Sequence, residues 1–130
     1  VNVLQGGKLI QDLGTDNARH RKEDMVDKEH TVITCHDTLL YKIAGSVSGH
    51  VNSAHHQSVD ADALGENLKV NAYDEDDRKI IEGLEFSNKT DKAFMLCVQW
   101  HPERMKDKEE SPFSKKIKER FLGEIRKLKK

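Results

Sequence analysis

His101 and Glu103, two residues apart in Gln99-Trp100-His101-Pro102-Glu103, are the pair in this sequence best suited to acid–base chemistry. In an extended segment residues i and i+2 share a face, so the imidazole and the carboxylate project to the same side. A carboxylate beside a histidine fixes its tautomer and stabilises the imidazolium, the arrangement that activates a nearby thiol or hydroxyl. Pro102 has no N–H for a sheet ladder and biases His101 towards an extended conformation. The apolar run 93–98 before it reads as a buried strand that stops here, with its last side chains in a crevice. Strand ends are where α/β enzymes keep their chemistry.

A second polar concentration lies in Val51-Asn52-Ser53-Ala54-His55-His56-Gln57-Ser58-Val59. Two adjacent histidines and a glutamine carry dense hydrogen-bonding capacity, and in an extended segment at least one histidine faces inward. Substrate contact and a polar network that fixes a loop are both consistent with this pattern. The seven histidines include no His-x-x-x-His pair and there is no Cys-x-x-Cys, so no metal site is expected. Cys35 and Cys97 lack the glycine-flanked strand–turn–helix elbow of a nucleophile and read as structural thiols.

These residues need elements to position them. Val1-Asn2-Val3-Leu4-Gln5 before Gly6-Gly7 reads as the last turns of a helix with a glycine C-cap, too short to stand alone, so a preceding segment is expected. Residues 14–24 are charged and without period, and predict a solvated surface loop. Residues 30–35 alternate and are rich in β-branched side chains, which predicts a strand. Residues 37–45 offer an N-cap, helical apolar spacing and a terminal glycine, which predicts a short helix. Strands are expected near 68–73 and 79–86, and with the run 93–98 they form an antiparallel meander joined by polar turns. Ser111 is expected to cap a terminal helix with Pro112 at its first position. Phe113, Ile117, Phe121 and Ile125 would supply its apolar stripe, docked on the sheet.

At 130 residues the chain is one domain's worth, with 35% hydrophobic and 35% charged residues. Lys+Arg 22 against Asp+Glu 23 gives a net charge of −1, so neither nucleic acid nor a membrane is an expected partner. No stretch approaches the roughly 20 apolar residues of a membrane span, and no signal peptide is visible. Two distant cysteines do not make a disulfide framework, which points to a reduced cytoplasmic setting.

Val98-Gln99-Trp100-His101-Pro102-Glu103 resembles the His-Pro-Glu signature of class I glutamine amidotransferase-like enzymes, most closely the γ-glutamyl hydrolase branch, peptidase family C26. Two further segments are similar to that family and stand in family order: Asn2-Val3-Leu4-Gln5-Gly6-Gly7-Lys8-Leu9-Ile10-Gln11-Asp12 and Ser53-Ala54-His55-His56-Gln57. The resemblance implies a flavodoxin-like α/β fold, of which residues 1–130 are the C-terminal part of a single domain, with the antiparallel meander and the terminal helix. It implies hydrolysis of a γ-glutamyl amide by a Cys-His-Glu triad in which this chain supplies His101 and Glu103. The cysteine sits in the family on a Gly-x-Cys-x-Gly turn, a pattern this sequence does not contain, so the expected partner is an N-terminal segment of the same domain. His55, His56, Gln57, Arg19 and His20 are the implied contacts to a small γ-glutamyl substrate, with no cofactor, and self-association is left open. Two alternatives stand beside this. One is a glutaminase subunit that delivers ammonia to a synthase; the other is a catalytically inactive binding module of the same fold.

Overall fold

A computed structural model describes residues 1–13, 27–55 and 57–128. Its centre is a five-stranded sheet in the order β3-β2-β5-β6-β7, with every neighbouring pair antiparallel. The strands are β2 (Lys28–Thr34), β3 (Ser48–Ser53), β5 (Leu68–Asp74), β6 (Ile81–Phe86) and β7 (Cys97–Val98). A separate two-stranded ribbon pairs β1 (Leu9–Ile10) with β4 (Ser58–Val59). The helices are α1 (Leu39–Ala44) and α2 (Lys115–Leu128). Among the described residues no helix is long and apolar enough to cross a membrane.

The expected helix end at the N-terminus is a single 3-10 turn, Val3–Gln5, closed by Gly6 at φ 91°. Only glycine adopts that conformation without a steric cost. Asn2, which is buried, ties this turn to the chain further on: its Oδ1 accepts from Gly65 N at 2.7 Å and its Nδ2 donates to Lys8 O at 2.9 Å.

Alternation in β2 buries His30, Val32 and Thr34, and Val32 heads a core with Leu40, Val51, Ala72, Trp100, Met105 and Phe113. A smaller cluster of Leu68, Ile81 and Leu84 is packed by Met95 and Cys97. The meander β5-β6-β7 is present as expected, but its last strand is shorter than the apolar run. Only Cys97 and Val98 pair, opposite Leu84 and Gly83, while residues 93–96 are unpaired. Beyond Phe86 the chain is held elsewhere: Ser87 N donates to Asn67 O at 2.9 Å, and Lys89 Nζ takes the Phe86 carbonyl at 2.7 Å. Ala93 is exposed and residues 94–98 are half-buried, so this run is not the buried strand its hydrophobicity suggested, and its pairing stops at Leu84 although β6 runs on to Phe86.

Helix α1 starts with Thr38, whose Oγ1 accepts from Tyr41 N at 3.1 Å, and ends at Gly45 with φ 67°. Its first N–H groups meet an anion from another strand. The buried Glu85 carboxylate accepts from Leu39 N at 2.7 Å and from Leu40 N at 3.2 Å, and pairs with Lys89 at 2.6 Å. Burial pushes this carboxyl up, but the Lys89 ammonium and the two N–H groups outweigh burial and hold it below the ordinary glutamate value. A carboxyl depressed in the folded state contributes stability above its unfolded value and loses it as pH falls through the folded value. Glu85→Gln is therefore expected to lower unfolding free energy at neutral pH by about 1.5–3 kcal/mol. The gap from wild type should close as pH drops below about 4.3, and urea titrations at stepped pH read it directly.

The terminal helix starts later than its capping signal suggests. Ser111 Oγ accepts from Phe113 N at 3.2 Å, but residues 111–114 form a turn, and regular helix begins at Lys115. Phe113 is buried and Ile117 half-buried, whereas Phe121 is 53% exposed and Leu128 85% exposed. Of the expected docking stripe Phe113, Ile117 and Ile125 are covered at least in part, and Phe121 is the member left exposed among the described residues.

Candidate active site

The segment 101–104 is fastened from three directions. Asn52, buried on β3, spans the His101 backbone: His101 N donates to its Oδ1 at 2.9 Å, and its Nδ2 donates to His101 O at 2.9 Å. This pair of bonds reproduces what a neighbouring strand would supply at a position where Pro102 cannot continue a ladder. Ser114 Oγ donates to Pro102 O at 2.8 Å, fixing the turn against the start of the terminal helix. Arg104 grips Asp27 with two bonds, Nε to Oδ2 at 2.9 Å and Nη2 to Oδ1 at 3.0 Å, and Asn52 Nδ2 reaches the same carboxylate at 3.1 Å. Just before the pair, Trp100 is buried and donates its ring N–H to Phe113 O at 3.1 Å.

Held this way, His101 and Glu103 meet as their spacing predicts. His101 is extended at φ −111° and ψ 91°, and Pro102–Arg104 follows as one 3-10 turn. His101 Nδ1 lies 3.0 Å from Glu103 Oε1, and the imidazole is 41% exposed. A carboxylate only accepts, so Nδ1 donates to it, and in the neutral ring Nε2 is then the acceptor, as a general base requires. Burial pushes the Glu103 carboxyl up, but its own backbone N–H, His101 and Arg104 together hold it below the usual value, so it remains an anion. A groove of about 470 Å³ lies against Pro102 and Glu103, floored by Phe94, Leu96, Ile117 and Phe121.

Neither cysteine suits the role of nucleophile. Burial, with Glu85 nearby, pushes the Cys35 thiol up, and burial does the same to Cys97, so both favour the unreactive protonated form.

The remaining expected residues are placed unevenly. Arg19, His20 and His56 lie outside the described residues. His55 turns inward: its side chain is 9% exposed, its Nδ1 lies 2.8 Å from Gln57 O and its Nε2 lies 3.2 Å from Glu82 Oε1. Gln57 Nε2 donates to Gln11 Oε1 at 3.1 Å, which joins the first and second motif segments, and its carbonyl also receives Gln99 Nε2 at 3.5 Å. Two contributions lie beyond the sequence reading. Asn52, which holds His101 in place, stands in the second motif beside the more conspicuous histidines; an asparagine in a strand-forming stretch is the available signal. His30 joins His55 and Glu82 in one cluster, and no local spacing could show that, since the three come from distant parts of the chain.

An antiparallel meander that ends on a His-x-Glu pair and is followed by a terminal helix is the arrangement expected from the resemblance to class I glutamine amidotransferase-like enzymes. The chain belongs to the Peptidase C26 family, whose model matches residues 1–103. It is 38% identical over 109 residues to a Mycobacterium tuberculosis protein provisionally assigned as a glutamine amidotransferase, a match covering 82% of this chain and 33% of that protein. It is 40% identical over 79 residues to a Rickettsia prowazekii protein provisionally assigned as glutamine amidotransferase-like, covering 60% of this chain and 26% of that one. The chain thus spans about a third or less of the curated relatives it matches. Among solved structures, a Thermoplasma acidophilum protein provisionally assigned as a GMP synthase subunit superposes with a TM-score of 0.66 at 13% identity, covering 98% of this chain and 53% of that one. A Thermotoga maritima glutamine amidotransferase gives a TM-score of 0.54 at 13% identity, covering 98% and 44%. Those two likenesses establish the fold.

Proposed function

We propose that this chain is the histidine-bearing C-terminal part of a cysteine-dependent hydrolase that cleaves γ-glutamyl amide bonds in the cytoplasm. The observation that carries the reading is the 3.0 Å contact between His101 Nδ1 and Glu103 Oε1, which leaves Nε2 as a proton acceptor on a half-exposed ring. The nucleophilic cysteine comes from a segment that precedes this chain in the same domain. His101 takes the thiol proton, the thiolate attacks the γ-carbonyl, and the tetrahedral intermediate collapses to a thioester as His101 protonates the leaving amine. Water, deprotonated by His101, then releases the glutamyl acid and returns the thiol. Glu103 holds the ring in the required tautomer throughout. His56, Gln57, Arg19 and His20 are the positions from which substrate contacts are drawn, with Arg19 suited to a substrate carboxylate, while His55, turned inward, braces Gln57 from beneath. The free thiols of Cys35 and Cys97 accord with a reducing compartment.

Full-length protein is expected to release glutamate from γ-glutamyl amides and to lose that turnover on treatment with iodoacetamide. Ammonia release that is confined to glutamine and needs a synthase would replace this reading with the amidotransferase subunit. Tight binding of γ-glutamyl compounds without turnover would replace it with an inactive binding module.

A further inference from the structure

We propose that His30, His55 and Glu82 form a binding site for one divalent transition-metal ion of the zinc type, separate from the His101–Glu103 pair. Each offers one donor atom, and these atoms all lie within 4.8 Å of one another. Glu82 Oε1 is 3.2 Å from His55 Nε2 and 3.6 Å from His30 Nε2. A tetrahedral ion with bonds of about 2.0–2.1 Å holds its ligand atoms about 3.4 Å apart, between those two separations.

The far side of each imidazole argues for the same site. His30 Nδ1 lies 2.8 Å from Asp74 Oδ1, and His55 Nδ1 lies 2.8 Å from Gln57 O. With the proton on Nδ1, where the Asp74 carboxylate and the Gln57 carbonyl can accept it, each ring turns Nε2 to the Glu82 oxygen and can offer it to an ion; without an ion, protons on Nε2 pair the rings with Glu82. Metal-binding histidines are oriented in this way, by a carboxylate or a backbone carbonyl on the other ring nitrogen. Asp74 is itself held in place, its Oδ2 accepting from Asp76 N at 3.2 Å and from Asp77 N at 3.0 Å. The side chains of His30, His55 and Glu82 are 5%, 9% and 0% exposed. A carboxylate at that depth is favourable when paired or bound to a metal, and an ion would take the place of the histidine protons that pair with Glu82 in its absence.

Imidazole nitrogen with one carboxylate suits zinc and its neighbours in the first transition row and disfavours magnesium or calcium, which take oxygen ligands. The ligands come from β2, from the segment between β3 and β4, and from β6, so one ion ties three parts of the fold. Gln57, whose carbonyl orients His55, is joined through Gln99 to the strand that leads to His101. The ion would therefore stiffen the support beneath the catalytic segment without touching substrate.

The test is zinc titration of chelator-treated protein, followed by calorimetry and by long-range imidazole 1H–15N spectra. One equivalent is expected to bind and to shift the Nε2 resonances of His30 and His55, leaving those of His50 and His101 in place. Substituted cobalt should show visible bands of a nitrogen–oxygen ligand set without thiolate charge transfer. Asp74→Asn should weaken zinc about 10–100-fold, and Glu82→Gln should abolish stoichiometric binding in a protein that circular dichroism shows to be folded. Absence of stoichiometric binding, or binding that moves only other histidines, overturns the proposal and leaves a proton bridging the cluster. The wild-type spectra decide the matter even if Glu82→Gln does not fold, and neither result bears on whether the protein cleaves amides.

Discussion

His101→Asn in the full-length protein is expected to lower kcat for γ-glutamyl amide cleavage by about 10³-fold or more, with KM changed only a few-fold. A positioned acid–base residue contributes about 10²–10⁴-fold to such reactions, and here one ring serves both the attack and the departure of the amine. Asparagine keeps a polar side chain of modest size but cannot take up a proton. The backbone at 101 should be undisturbed, because Asn52 binds its N–H and C=O and not its side chain. The loss should therefore appear in kcat alone, the mark of an interaction made in the transition state. Glu103→Gln should be milder, since the amide oxygen still accepts from Nδ1 and only the charge that stabilises the imidazolium is lost. Steady-state kinetics on the two variants, with circular dichroism to verify folding, would check both.

Trp100→Ala is expected to destabilise the fold by about 3–5 kcal/mol, a large share of the roughly 5–15 kcal/mol that holds a domain of this size together. Trp100 is 2% exposed and meets the Phe113 ring edge-on, with centroids 6.0 Å apart and planes at 60°. Truncation leaves a cavity the size of an indole and removes the bond from its ring N–H to the Phe113 carbonyl. Glycine at position 49 shows how closely the other side of Phe113 is packed, since a Cβ there would overlap the ring. The core cannot relax into the gap without shifting the segment that begins at His101. Trp100→Phe, which keeps most of the apolar volume, should cost less than half as much. Equilibrium urea unfolding of the two variants measures the difference, with an unchanged m value showing that the native state is still compact.

Much of this molecule is legible in its sequence, and the parts that are not have physical causes. Helix α1 could be read because Thr38 and Gly45 are local signals that act within one turn of the chain. The meander could be read because alternation and polar turns are local as well. The His101–Glu103 contact followed from an i, i+2 spacing and a proline. What could not be read were events between distant segments. The ladder of β7 is short although β6 runs on to Phe86, because Met95 and Leu96 pack against the two core clusters without pairing with it. The start of α2 depends on how Ser114 is drawn to Pro102. The hold of Asn52 on the His101 backbone joins positions 49 residues apart, and the cluster of His30, His55 and Glu82 joins three stretches of chain.

The central claim is that His101 Nε2 activates a cysteine supplied by the preceding part of the domain. The most direct measurement is the pH profile of iodoacetamide alkylation, mapped by mass spectrometry, in wild-type full-length protein and in His101→Asn. One cysteine other than Cys35 and Cys97 should react at pH values well below the ordinary thiol value of about 8.5, and His101→Asn should move that reactivity back towards it. Identical profiles in the two proteins, or labelling of Cys35 and Cys97 alone, would contradict the account.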